Sequence, residues 1–354
     1  MTRFDILHRR LVNQLLVASN AETPRDVVSH LGAVQAQDYS GGEWSIGLRL
    51  PGSKLAHVEK EISEGKIVRT WALRGTLHFL AGADVRWILE LLAPGIIQGL
   101  ARRYRELELD SSTFKKADSI LEKALSGNRH LTRNQLRTII EKRGVSCEGQ
   151  RMAFILHRAS LDRVICFGVT RERQQTHAMF DKMVTRSKPK EREESLAELT
   201  RRYFTSHGPA TIQDYMWWSG LSAADAKDGL EMAKSELVHD SIGDKVYWMP
   251  PKNLAPKSAV PTVHLLPPFD DFLIGYKDRS ASMDGTVLRR LRTGGMPDPT
   301  IMIDGKIAGK WSRTLKKDSV TIQTKLFRKF NKHEAQSLDD AVERYADFIG
   351  KKFE

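Results

Sequence analysis

The sequence predicts an α+β fold: three tandem winged helix-turn-helix units, then a C-terminal β-rich subdomain and a terminal helix. Three observations carry that expectation. A pattern of helix cap, short helix, glycine, second helix and strand pair recurs three times in order. The dipeptides Gly243-Asp244 and Asp304-Gly305 each stand between strand-like runs, as two-residue hairpins require. Beyond a proline-rich stretch at 250–261 the apolar spacing shifts towards strands. A chain of 354 residues exceeds one ordinary core. The expected divisions are 1–110, 111–190, 191–255 and 256–354.

In the first unit a helix over 4–17 places Leu7, Leu11 and Leu15 on one face. Thr23-Pro24 then supplies an N-cap with proline in the first turn, and the helix 24–31 stops at Gly32. Residues 44–50 can form a further helix. The wing spans 67–80, its two strands flanking Arg74-Gly75. In the second unit a helix over 114–125 stops at Gly127, and Thr132 with Gln135 reads as a capping box. Leu136, Ile139 and Ile140 stripe that helix, Gly144 ends it, a helix over 150–160 follows, and 164–170 reads as a strand.

The third unit is the clearest. A helix over 195–206 precedes Gly208-Pro209, a short helix over 211–218, Gly220, and a helix over 223–235 capped by Ser222. Its wing pairs 237–241 with 245–249. The stretch 250–261 reads as a linker. Strands are expected at 263–266, 272–274, 300–303, 306–311 and 319–326, in a sheet resembling a partial barrel. Ala341, Tyr345, Phe348 and Ile349 would dock a terminal helix over 337–351.

Charge and cysteine content narrow the function. Lys and Arg total 56 against 44 Asp and Glu, a net +12 that favours a polyanionic partner through counterion release. Two distant cysteines, Cys147 and Cys166, argue for a reducing compartment without disulfide frame, zinc site or cluster. No apolar run reaches the roughly 20 residues of a membrane span. The expectation is a monomer in the cytoplasm, associated with the nucleoid, with duplex DNA as partner, no membrane contact, no metal and no cofactor.

No Walker A, GxGxxG, GxSxG or HExxH signature is present. Asp270-Asp271, read as strand neighbours, would point to opposite faces and share no site. The distinctive stretch is Gly32-Ala-Val-Gln35-Ala-Gln37-Asp38. In extended backbone Gln35 and Gln37 would share a face, where two amides could hold one water or one sugar oxygen. Capping of the preceding helix is the simpler role for them, and residue types alone favour it.

That stretch resembles the AlkZ-like family of bacterial winged-helix DNA glycosylases, which has azinomycin-resistance members. So do Trp71-Ala-Leu-Arg-Gly-Thr-Leu-His78, the block from Leu265 to Arg279, and the block from Ile303 to Trp311. The resemblance implies three winged helices around a basic concave DNA surface. It also implies that Gln35 and Gln37 match the family's Gln–aliphatic–Gln catalytic motif. Some relatives carry Asp at the second position. Gln37 places this chain with the branch associated with bulky and crosslinking adducts.

The implied activity is monofunctional hydrolysis of the N-glycosidic bond of cationic N7- or N3-alkylated purines, extending to bulky adducts or interstrand crosslinks. A cationic purine is already a good leaving group, so two neutral amides suffice to orient water beside an oxocarbenium-like sugar. Gln37 is assigned to the water and Gln35 to a supporting position, with Asp38 and Glu43 as reserve carboxylates. No lysine stands out as a Schiff-base nucleophile, so no lyase activity is expected. Arg69, Arg74 and His78 on the first wing, and Lys306, Lys310 and Arg313 beside the Asp304-Gly305 turn, are candidate DNA contacts. Trp311 is assigned to the core. The alternative is a non-enzymatic winged-helix DNA-binding protein or transcription regulator.

Overall fold

The computed structural model describes residues 2–171, 174–251, 261–291 and 296–354. They form a mixed α+β structure in two compact units: Met1–Glu59 with Leu196–Glu354, and Lys60–Ser195.

In the first unit the local capping chemistry dictates the opening helices. Helix Arg3–Asn13 starts at a reciprocal Thr2–Asp5 box, and Pro24–Leu31 at a Thr23–Asp26 box with proline in its first turn. The former ends short of residue 17, and Leu15 and Ala18 beyond it take left-handed backbone (φ 59° and 57°). Gly32 closes the latter at φ 80°, where a Cβ would also press to 3.3 Å from the Trp218 ring. A two-residue strand, Val34–Gln35, leads to helix Tyr39–Gly47, which lies N-terminal to the expected 44–50.

Further along, helices Arg192–His207, Ile212–Ser219 and Ala223–Ala233 precede the antiparallel hairpin Val238–Ile242/Lys245–Met249, close to the expected bounds. Of the expected linker, residues 252–260 lie outside the described residues. The remaining sheet has the linear order Lys352–Phe353, Ser319–Leu326, Lys306–Leu315, Thr300–Ile303, Val263–Leu266. Its edge strand Lys352–Phe353 runs parallel to its neighbour and carries no sequence signal. The terminal helix Lys332–Phe348 starts earlier than expected, at an Asn331–Glu334 box. It packs Tyr345 edge-on to Trp44 and Trp311, at 5.0 and 5.1 Å between ring centres. Trp311 is core, as expected.

The strand expected at 272–274 is instead a helical turn, Asp271–Ile274. Three apolar residues are too few to fix a period, and a buried network decides the geometry. The Asp270 carboxylate caps the Phe272 N–H at 2.9 Å and accepts two 2.8 Å bonds from Arg49, which is 0% exposed. Arg49 also donates to both the backbone and side-chain oxygens of Gln14 and to Ser45. Gln14 in turn donates to the Tyr276 hydroxyl, which donates to the His207 carbonyl. Burial alone would raise the pKa of Asp270; the Arg49 guanidinium outweighs it and holds the group ionised.

The second unit contains the hairpin Ile67–Trp71/Leu77–Ala81, turning at Arg74-Gly75 with both residues at positive φ (55° and 68°). Helices Val85–Gly99 and Ala101–Glu106 follow, which the capping signals do not announce. Ser111–Leu125, Arg133–Lys142 and Arg151–Leu161 enclose a core including Leu121, Leu125, Leu136, Ile140 and Ile155. The strand expected at 164–170 is only Ile165–Phe167. It pairs with Thr176–Met179, which the sequence did not show.

Candidate active site and basic residues

The glutamine stretch begins where Gly32 stops its helix. Ala33, Val34 and Ala36 are fully buried, so this backbone is anchored by its small apolar side chains. Gln35 lies in the short strand at 7% exposure, whereas Gln37 is exposed in the bend beyond it. The strand is too short to carry its alternation to residue 37. The two amides therefore sit in unlike surroundings, one dry and one wet.

Asp38 occupies the N-cap position of helix Tyr39–Gly47 but makes no side-chain capping bond. Its carboxylate folds over the first turn, where a Cβ on Gly41 would come within 2.6 Å of Asp38 Oδ2. Glycine at 41 leaves that carboxylate its place. Asp38 also lines a cleft of about 540 Å³, whose wall includes Asp298, Lys310, Trp311, Arg313 and Lys325. Lys310 is paired with Asp298, and Arg313 donates to the Tyr345 hydroxyl.

One helical turn after Tyr39, Glu43 is 4% exposed. Burial, then the charges of Glu59 and Asp38, push its carboxyl up to about 8, against a Tyr39 hydrogen bond and Arg313. Among the described residues its Oε1 has no hydrogen-bond partner. Glu43 thus carries a proton at neutral pH. The i, i+4 spacing of Tyr39 and Glu43 was a readable signal for their pairing. Glu59, Lys325 and Tyr345 were not readable, because they arrive from distant segments.

The candidate DNA contacts divide by exposure. Arg69 is 7% exposed, donates to Gln175 and lies 4.5 Å over the Phe167 ring. His78 is 1% exposed, and burial followed by the Arg74 charge pushes it down to about 3, so it is neutral. As placed, both pack within their own unit. Arg74 is half-buried at the turn, and Lys306 is exposed. The Asp304-Gly305 turn docks on Leu7, where a Gly305 Cβ would meet the Leu7 Cβ at 2.9 Å. The next turn of the sheet, where Leu315, Lys316 and Lys317 lead from Lys306–Leu315 into Ser319–Leu326, is exposed. Among the described residues no group of three or more His, Cys, Asp or Glu is arranged to hold a metal ion.

Three comparisons bear on this arrangement. The family model described as DNA glycosylase AlkZ-like matches residues 28–348. An interstrand DNA cross-link repair glycosylase of Streptomyces sahachiroi is 26% identical over 320 residues, covering 85% of each chain. The solved structure of Streptomyces sahachiroi DNA glycosylase AlkZ superposes with a TM-score of 0.80 at 21% identity, covering 100% of this chain and 99% of that one.

Proposed function

Because the chain belongs to the DNA glycosylase AlkZ-like family, we propose that it hydrolyses the N-glycosidic bond of cationic N7- and N3-alkylated purines in duplex DNA. Bulky adducts and interstrand crosslinks fall within the same range. The observation that carries this reading is the pairing of an exposed Gln37 with a buried Gln35, one residue before the cleft-lining Asp38.

The C1′–N bond of such a lesion breaks with its electron pair leaving on the purine, whose positive charge is thereby neutralised. No acid need protonate it. Gln37, in contact with solvent, holds the attacking water by its amide. Gln35, fixed by its buried strand, supports the sugar side. Asp38 offers a carboxylate near the cationic sugar and an acceptor for the proton that water sheds. No lysine amine takes part, so the product is an abasic site in an unbroken strand. The three helix–turn–helix segments with their hairpins act as winged units on the duplex. Lys306, Lys310, Arg313 and Arg74 neutralise phosphates, while Arg69 and His78 stiffen the first hairpin. The cleft beside Asp38 leaves room for the non-base part of a bulky adduct.

The test is incubation with duplex DNA carrying N7-methylguanine. Released base with an intact abasic strand is expected, with little or no release from uracil or 1,N6-ethenoadenine duplexes. Those neutral leaving groups need protonation that the amides do not supply. Robust uracil excision, or binding to one operator sequence without any base release, would overturn the reading.

A further inference from the structure

The amides of Gln35 and Gln37 are uncharged, yet the developing sugar cation calls for negative charge. Six residues after Gln37 lies a carboxyl that neither glutamine accounts for. Glu43 is almost wholly buried on the helix that follows the motif, and among the described residues its Oε1 has no partner. The charged and titratable groups acting on it come from every side. Asp38 and Tyr39 come from its own segment and Glu59 from helix Leu55–Ser63. Arg313 comes from strand Lys306–Leu315, and Tyr345, on the terminal helix, feels the charges of Arg313, Asp38 and Glu43. Two carboxylates against one arginine leave this pocket short of positive charge. Trp44, next in sequence, packs edge-on against Tyr345.

Resting on the glycosylase reading, we propose that Glu43 is a switchable counter-charge for a cationic sugar held at the glutamine motif, neutral in the free protein and ionised when that cation arrives. A buried carboxyl resists ionisation while its nearest charges are also negative. A cation nearby supplies the missing partner and favours proton loss to solvent. Glu43 makes no bond to the reacting atoms. It acts through space, and its charge is strong because the surroundings exclude water. The raised affinity of Glu43 for its proton is the electrostatic signature of such a site.

The test compares two duplexes. One carries a quaternary pyrrolidinium, permanently cationic, in place of one deoxyribose; the other carries a neutral tetrahydrofuran abasic analogue. The readout is the ratio of their affinities as a function of pH. For the native chain the ratio should rise about tenfold between pH 7 and 9, following the ionised fraction of a group titrating near 8. Glu43→Gln should leave the ratio flat. Glu59→Gln alters an exposed residue that the fold tolerates, and removing its charge should move the rise to lower pH. A flat ratio in the native chain, or an unchanged rise in both variants, overturns the proposal. Base release from N7-methylguanine is followed in parallel. Its complete absence at every pH would defeat the glycosylase reading alone, since the affinity ratio judges Glu43 without turnover.

Discussion

Replacing Asp270 with alanine should be among the most damaging single changes to this protein. The substitution strips two 2.8 Å acceptors from Arg49, which stays fully buried and charged. It also removes the acceptors of the Ser45 hydroxyl and the Phe272 N–H. Breaking a buried ion pair by removing one partner costs about 3–5 kcal/mol, and the two neutral donors fall within that range. Asp270→Asn keeps one acceptor while losing the charge, and should cost about half as much. The double variant Arg49→Met/Asp270→Leu removes both charges together, and should be more stable than Asp270→Ala, since no orphaned ion remains. Urea denaturation of the four proteins reads these differences. A loss below about 1 kcal/mol for Asp270→Ala, or a double variant no more stable than Asp270→Ala, would show that the pair does not hold Asp271–Ile274 in place.

Three further outcomes are expected. Gln37→Ala should abolish base release while duplex affinity stays within a few-fold, and Gln35→Ala should slow release less; single-turnover excision and a binding titration separate the two. Gly47→Ala should destabilise the first unit by about 1–3 kcal/mol or more, because its Cβ would lie 2.2 Å from the Phe348 ring, measured as a fall in denaturation midpoint. Glu43→Gln should stabilise the fold in a pH-dependent way. With its carboxyl raised from 4.5 to about 8, the native state keeps a proton that the unfolded chain releases. The contribution is intact below pH 4.5 and is lost progressively up to pH 8. At pH 7 the gain on substitution reaches at most about 3 kcal/mol, and it should vanish near pH 4.

What could be read from the sequence was local. The Thr23 cap with Pro24, the Thr132–Gln135 box and the Ser222 cap each need only a few neighbouring residues, and each forms as expected. The Asp304-Gly305 hairpin is equally self-contained. The turn Asp271–Ile274 was misread as strand because its determinant, Arg49, lies 221 positions away. The same holds at the site. Gln35 and Gln37 stand out by their type and by family resemblance, but their unequal exposure depends on where a two-residue strand ends. The raised pKa of Glu43 depends on its burial, then on Glu59 and, in opposition, Arg313, which no local pattern connects to it.

The division of the first unit between the two ends of the chain has a bearing on biosynthesis. Residues 60–195 are contiguous and can fold as they emerge from the ribosome. The segment holding the glutamine motif cannot complete its packing at that stage, because Trp44 rests on Tyr345 and Phe348. At common translation speeds that leaves an interval on the order of tens of seconds during which the nascent chain has one finished unit and no assembled site. Premature termination between residue 195 and the terminal helix would therefore release a product with one folded unit. The other unit would expose an aromatic surface that chaperones and proteases recognise.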